Sequence, residues 1–158
     1  MFAIETAKEF FDKVKQDRDA LNGDIADSGR AINCILSSYH LHEWVWANWL
    51  KKKCPFKLRG KLIRDKEAFL GWLDKNCPHF SVLQELANGS KHCRPVHSTG
   101  KVSGYGMGPY GIGPYGAPYL LIDLGSHLAG DERYLVVSTT LNQIVEFWEN
   151  IFTEHDIA

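Results

Sequence analysis

Apolar residues recur at helical spacing over most of this chain. Ile4, Ala7, Phe11, Val14 and Leu21, with Phe10 beside them, form one stripe and predict a helix over about 4–21. Asn22-Gly23 predicts its stop, because glycine readily takes the left-handed conformation that closes a helix. Asp24 then offers a cap for the longest helix, about 25–52, in which Ile25, Ile32, Ile35, Leu36, Tyr39, Trp46 and Leu50 share a face. Trp44 and Trp49 lie off the centre of that face and point either to burial on a second side or to an exposed aromatic surface. Cys54-Pro55 ends the helix, since the residue before proline resists helical geometry.

A third helix, about 65–76, is capped by Asp65 and turns Phe69, Trp72 and Leu73 inward. Asn76-Cys77-Pro78 breaks it, and a fourth follows over 79–92 with Phe80, Leu83, Leu86 and Ala87 inward. From 93 to 118 the pattern changes, because seven of the 14 glycines fall between Gly100 and Gly116, with Gly-Pro-Tyr repeated. That composition predicts a long loop with turns. Tyr119–Leu124 and Arg133–Ser138 are rich in Leu, Ile, Val and Tyr and predict an antiparallel hairpin within 119–138. Thr140-x-x-Gln143 reads as a capping box opening a last helix, 140–154, with Leu141, Ile144, Val145, Trp148, Ile151 and Phe152 on one stripe. The sum is a mostly α (α+β) fold in one domain, 1–158. It is a bundle of about five helices with one antiparallel β-hairpin and a Gly/Tyr-rich loop inserted before the last helix.

Composition narrows the classes. A content of 44% hydrophobic and 23% charged residues argues against disorder, and 158 residues can bury a core without staples. The net charge of −1 excludes a globally basic nucleic-acid binder and leaves room for a local patch. Residues 51–64 supply one, with seven of the 18 Lys and Arg and no acid. No apolar run is long enough to span a membrane, and the charged N-terminal segment lacks the apolar core of a signal peptide. The expected location is therefore cytoplasmic, with Cys34, Cys54, Cys77 and Cys93 as reduced thiols.

Two polar groups stand out. With Ile32 as reference, Glu43 falls about 20° from the centre of the apolar face, where a carboxylate needs a partner such as a neighbouring Lys, Arg or His. His40 and His42 flank it, and a Glu with a His three residues back resembles the spacing of metal sites in bundles. The second group is Glu85, Asn88, Lys91 and His92. On a helix Asn88 and His92 meet at i and i+4, Glu85 shares their stripe, and Arg94 and Lys101 add positive charge nearby. Amide, imidazole and ammonium together suit holding a phosphate and moving a proton near neutral pH.

Ala87-Asn88-Gly89-Ser90-Lys91-His92 resembles a degenerate RNxxxH motif of HEPN domains, with Ala87 in place of the arginine. The resemblance covers this hexapeptide and the general bundle. It implies an RNA-related, toxin–antitoxin or defence setting, a homodimer, and no cofactor. It further implies His92 in acid–base transfer, Asn88 in orientation and Lys91 in stabilising phosphate charge, as in a metal-independent ribonuclease or its inactive relative. Two alternatives stand beside it. One is a non-catalytic module or accessory subunit meeting a protein partner or a second copy through Trp and Tyr-rich surfaces, including Tyr105, Tyr110, Tyr115 and Tyr119. The other is a metal-dependent enzyme using Glu43 with His40 and His92. Cys77-x-His79 and Cys93-x-x-x-His97 offer zinc-type ligands at a spacing that fits no finger or ribbon.

Overall fold

The computed structural model of the protein describes residues 2–93, 97–104 and 107–158. Helix α1 spans Ala7–Gly23, α2 Ser28–Val45, α3 Lys66–Asn76, α4 Phe80–His92 and α5 Val137–Glu154. Strands β1, Phe56–Leu58, and β2, Lys61–Ile63, form a small hairpin. A second sheet has the order β3-β4-β5, all antiparallel, from Ser98–Val102, Tyr119–Asp123 and Tyr134–Val136. The mostly helical plan, with the Gly/Tyr-rich segment before the last helix, is the one the hydrophobic pattern predicts.

The stripes of α1, α3 and α5 are the buried faces, and Phe11 stacks on Phe152 with ring centroids 4.6 Å apart. Helix α3 starts at Asp65, whose side chain accepts the Ala68 amide. Helix α1 ends without a left-handed glycine: Gly23 stays helical, and the Asp24 amide donates to the Leu21 carbonyl. Asp24 does not cap α2 either. Its carboxylate takes the Ala26 amide in a turn, and Asp27 caps α2 by accepting from the Arg30 amide.

Helix α2 buries Ala31, Cys34, Ser38, Leu41 and Val45, a stripe rotated from the one read around Ile32, which is 44% exposed. It runs on into a π-helical turn, Trp46–Leu50, closed by the Lys51 amide on the Trp46 carbonyl. There Trp46 stacks on Phe69, Trp49 meets Phe56 and His155, and Asn48 accepts the Ala7 amide at the start of α1. Trp44 stacks on Phe10. Trp44 and Trp49 thus pack on a second side of the helix, each half-buried.

Three segments differ from the sequence reading. The basic connector is the β1–β2 hairpin, turned by Arg59-Gly60 with φ of 45° and 80°, and it buries Leu58 and Ile63. The loop over 93–118 contains β3, paired with β4 from Ser98↔Asp123 to Val102↔Tyr119. Helix α5 starts at Val137, directly from β5, so Thr140 lies buried inside it and no capping box forms.

The second sheet separates two environments. Partners directly across an antiparallel ladder share a face, so Thr99, Lys101, Leu120 and Ile122 lie on one side, and Ile122 joins the core. Val102 and Tyr119 lie on the other side, under the Gly-Pro-Tyr segment. The Tyr119 hydroxyl donates to the Ile112 carbonyl, and a Cβ at Gly108 would fall 2.3 Å from that hydroxyl, one at Gly113 2.4 Å from the ring.

Candidate functional site

The segment with the motif resemblance is the C-terminal half of α4. Asn88, Lys91 and His92 are all exposed and have no hydrogen-bond or ion-pair partner among the described residues. Asn88 and His92 lie about 40° apart on the helix, whereas Lys91 turns about 100° away from His92, so the three do not converge on one point. A lysine and a histidine in the last turn complement the negative end of the helix dipole. Arg94 lies outside the described residues.

Glu85 sits on the same helix but looks elsewhere. It borders a cleft of about 470 Å³ between α2, α4 and the β3–β4 edge. Ala31, Ile32, Ile35, Leu86, Leu120, Ile122 and Val137 make its walls and floor. At the mouth Glu85 pairs with His97, and Ser28, Ser90, Thr99 and Lys101 add polar atoms. Glu85 and Lys101 are therefore brought to one site, while Asn88, Lys91 and His92 do not line it. The sequence offers His97 only as a zinc-type ligand and Ile32, Ile35 and Leu86 only as core positions. The cleft they share was not legible because β3, which completes it, carries one buried side chain in five and has no alternation to read.

Glu43 is half-exposed, at 46%, and holds Lys66 of α3 at 2.6 Å and His42 Nε2 at 3.2 Å. The expected ion pair with a neighbouring helix is present; the expected burial is not, because position 43 follows the Ile32 side of α2. Partial burial pushes the Glu43 carboxyl up, but the Lys66 hydrogen bond and the neighbouring His42 and Lys66 charges outweigh it, and the net shift is downward from 4.5. The buried member is His42, at 1% exposure, between the rings of Tyr39 and Phe80 with Nδ1 on the Tyr39 carbonyl. Burial pulls its imidazole below 6.5, against the opposing effects of that carbonyl and Glu43. His40 is exposed beside Tyr39.

Helices α2 and α4 run antiparallel: Tyr39 and His42 meet Phe80 and Gln84, whereas Ser28 to Ile35 face Glu85 to Cys93 across the cleft. Glu43 and His92 are thus separated by about 18 Å along α4, at 1.5 Å per residue. His79 and Cys93 flank α4 at its two ends, about 21 Å apart along the helix, so neither the Glu43–His92 pairing nor the zinc quartet assembles. Among the described residues no group of three or more His, Cys, Asp or Glu is arranged to hold a metal ion.

The basic segment is a surface of its own. Lys51, Lys52, Lys53, Lys57, Arg59, Lys61 and Arg64 are all exposed. Among the described residues Arg59 alone of these has an ion pair, to Glu154 through two hydrogen bonds of 2.9 and 3.2 Å. Lys53 lies over the Trp49 ring. The hairpin packs at the C-terminal end of α5, whereas Val137 at the start of α5 lines the cleft. An 18-residue helix places about 25 Å between the two. The basic segment therefore cannot assist His92.

No protein-family model, curated protein or solved structure matches the chain. No helix among the described residues is long and apolar enough to cross a membrane.

Proposed function

We propose that the protein binds RNA through its phosphate backbone, with the β1–β2 hairpin and the turn before it as the contact surface. The observation that carries this reading is the row of six exposed cations with no counter-ion among the described residues, in a chain whose net charge is only −1. Like charges held together on a rigid hairpin repel one another, and a polyanion relieves that repulsion while releasing its own counter-ions. Buried Leu58 and Ile63 and the Arg59–Glu154 pair fix the hairpin to the bundle, so the lysines are presented and not merely tethered. The choice of RNA among polyanions rests on the likeness of Ala87–His92 to the HEPN motif.

A second reading, metal-independent cleavage by Asn88 and His92, is favoured by their shared exposed stripe. Among the described residues one copy offers no cation beside that stripe, and a second copy would bring one.

One experiment separates the readings: binding and cleavage of a single-stranded RNA in excess EDTA, as a function of salt. Combined Lys57→Gln, Lys61→Gln and Arg64→Gln substitutions lower the slope of log affinity against log salt by about 2, from ~0.7 per phosphate contact. His92→Ala leaves binding unchanged. An unaltered salt slope in the triple variant overturns the hairpin reading, and cleavage abolished by His92→Ala would establish the second.

A further inference from the structure

The cleft between α2, α4 and the β3–β4 edge is unused by RNA binding at the opposite end of the molecule. We infer that it is a binding site for a small amphipathic anion, an aliphatic chain ending in one anionic head group, with the chain on the apolar floor and the head at Lys101.

Three observations lead there. The volume of about 470 Å³ falls within the ~300–1,000 Å³ of small-ligand sites and is too small for a folded partner. The interior is aliphatic: Ile35, Leu86, Ile122 and Val137 form the floor, and Ile32, with 44% of its surface exposed, forms a lip. Leu86 and Leu120 are only partly buried beside Ile32, and a hydrocarbon chain in the cleft would cover the apolar surface they leave.

Charge at the mouth sets the sign of the head group. Glu85 is already engaged by the His97 ring, whose Nε2 lies against its carboxylate. Lys101 has no ion-pair partner among the described residues. The ladder pairing Lys101↔Leu120 places it on the cleft face of the sheet beside Thr99, where it lines the cleft and stays exposed to solvent. A cation that has no ion-pair partner among the described residues, set over an apolar floor, is complementary to a single negative head on an apolar tail. It does not suit a polyphosphate, which would leave most of its charge unmatched.

The test is calorimetric titration of the intact protein with octanoate and, separately, with uncharged 1-octanol. Octanoate binds at one site per chain, with a negative heat-capacity change from apolar burial. Lys101→Gln weakens octanoate about tenfold, the size of a charge-assisted hydrogen bond, and leaves octanol unchanged. Lys101→Arg restores octanoate binding. Thr99→Trp, at a second exposed position on the cleft face, obstructs both ligands; neither position is in the core, so helical circular dichroism stays that of the parent. Absence of octanoate binding at millimolar concentration, octanol binding as tightly as octanoate, or indifference of octanoate to both Lys101→Gln and Thr99→Trp would each overturn the proposal.

Discussion

At the scale of single residues, the least expected group is His42. It sits one position from the carboxylate that the sequence singles out, and it takes the burial that the sequence assigns to Glu43. The wheel arithmetic for Glu43 is sound, but its reference, Ile32, belongs to a cleft wall and not to the core, which a pattern of apolar letters cannot distinguish. What remained legible was the need for a partner, and Lys66 supplies it. The buried imidazole has a consequence for pH. Its folded-state proton affinity lies below the ordinary value of 6.5, with Glu43, Lys66 and His40 the charged or titratable groups acting on it. Just below 6.5 the unfolded chain binds a proton that the folded chain refuses, so stability is full above that pH and falls as pH drops through it. The limiting slope for one proton is about 1.4 kcal/mol per pH unit. Urea denaturation of the wild type across this range shows the fall, and His42→Gln, which keeps a polar side chain but does not titrate, flattens it. Glu43 does not account for the same signal, because its carboxyl is held below 4.5 and its contribution is lost only at more acid pH.

At the scale of elements, legibility followed the strength of the local code. Helices α1, α3 and α5 each carry one apolar stripe, and in α3 the Asp65 cap is also where the sequence places it. The β1–β2 hairpin escaped notice because its turn is Arg-Gly and not Asn-Gly or Asp-Gly, and because charge dominates its composition. Strand β3 escaped because its order comes from a partner, β4, and not from its own residues. The Gly-Pro-Tyr segment illustrates the same dependence. Its glycines predict a loop with turns, yet two of them also let the chain pass against the Tyr119 side chain. Comparing two glycines isolates this contact. Gly111 and Gly113 have nearly equal φ, 75° and 77°, so alanine brings similar backbone strain at both. A Cβ at Gly111 meets open space, while one at Gly113 falls against the ring. Gly113→Ala is therefore more destabilising than Gly111→Ala by about 1–3 kcal/mol, the usual cost of overpacking. It also opens the segment to limited proteolysis. Equal effects of the two substitutions would mean that the segment does not depend on Tyr119.

At the scale of the whole molecule, the basic hairpin and the cleft lie at opposite ends of the bundle, and their separation could not be read from sequence because it depends on how the helices pack. The basic hairpin clasps the end of α5 through Arg59 and Glu154, and the cleft opens beside the start of α5. About 25 Å along that helix exceeds the ~8 Å Debye length at physiological salt, so Lys101 contributes little potential at the hairpin. Substitutions this far apart, with no shared partner, act additively. Lys101→Gln and Thr99→Trp should therefore leave the RNA dissociation constant within about twofold, and the triple hairpin variant should leave octanoate affinity within the same margin. Parallel RNA titrations with and without saturating octanoate test the point thermodynamically, since any coupling must be reciprocal. A change beyond about fivefold in either direction, a coupling of ~1 kcal/mol, would show that α5 links the sites through two discrete arrangements. In that case the cleft would be a regulator of the hairpin and not an independent site.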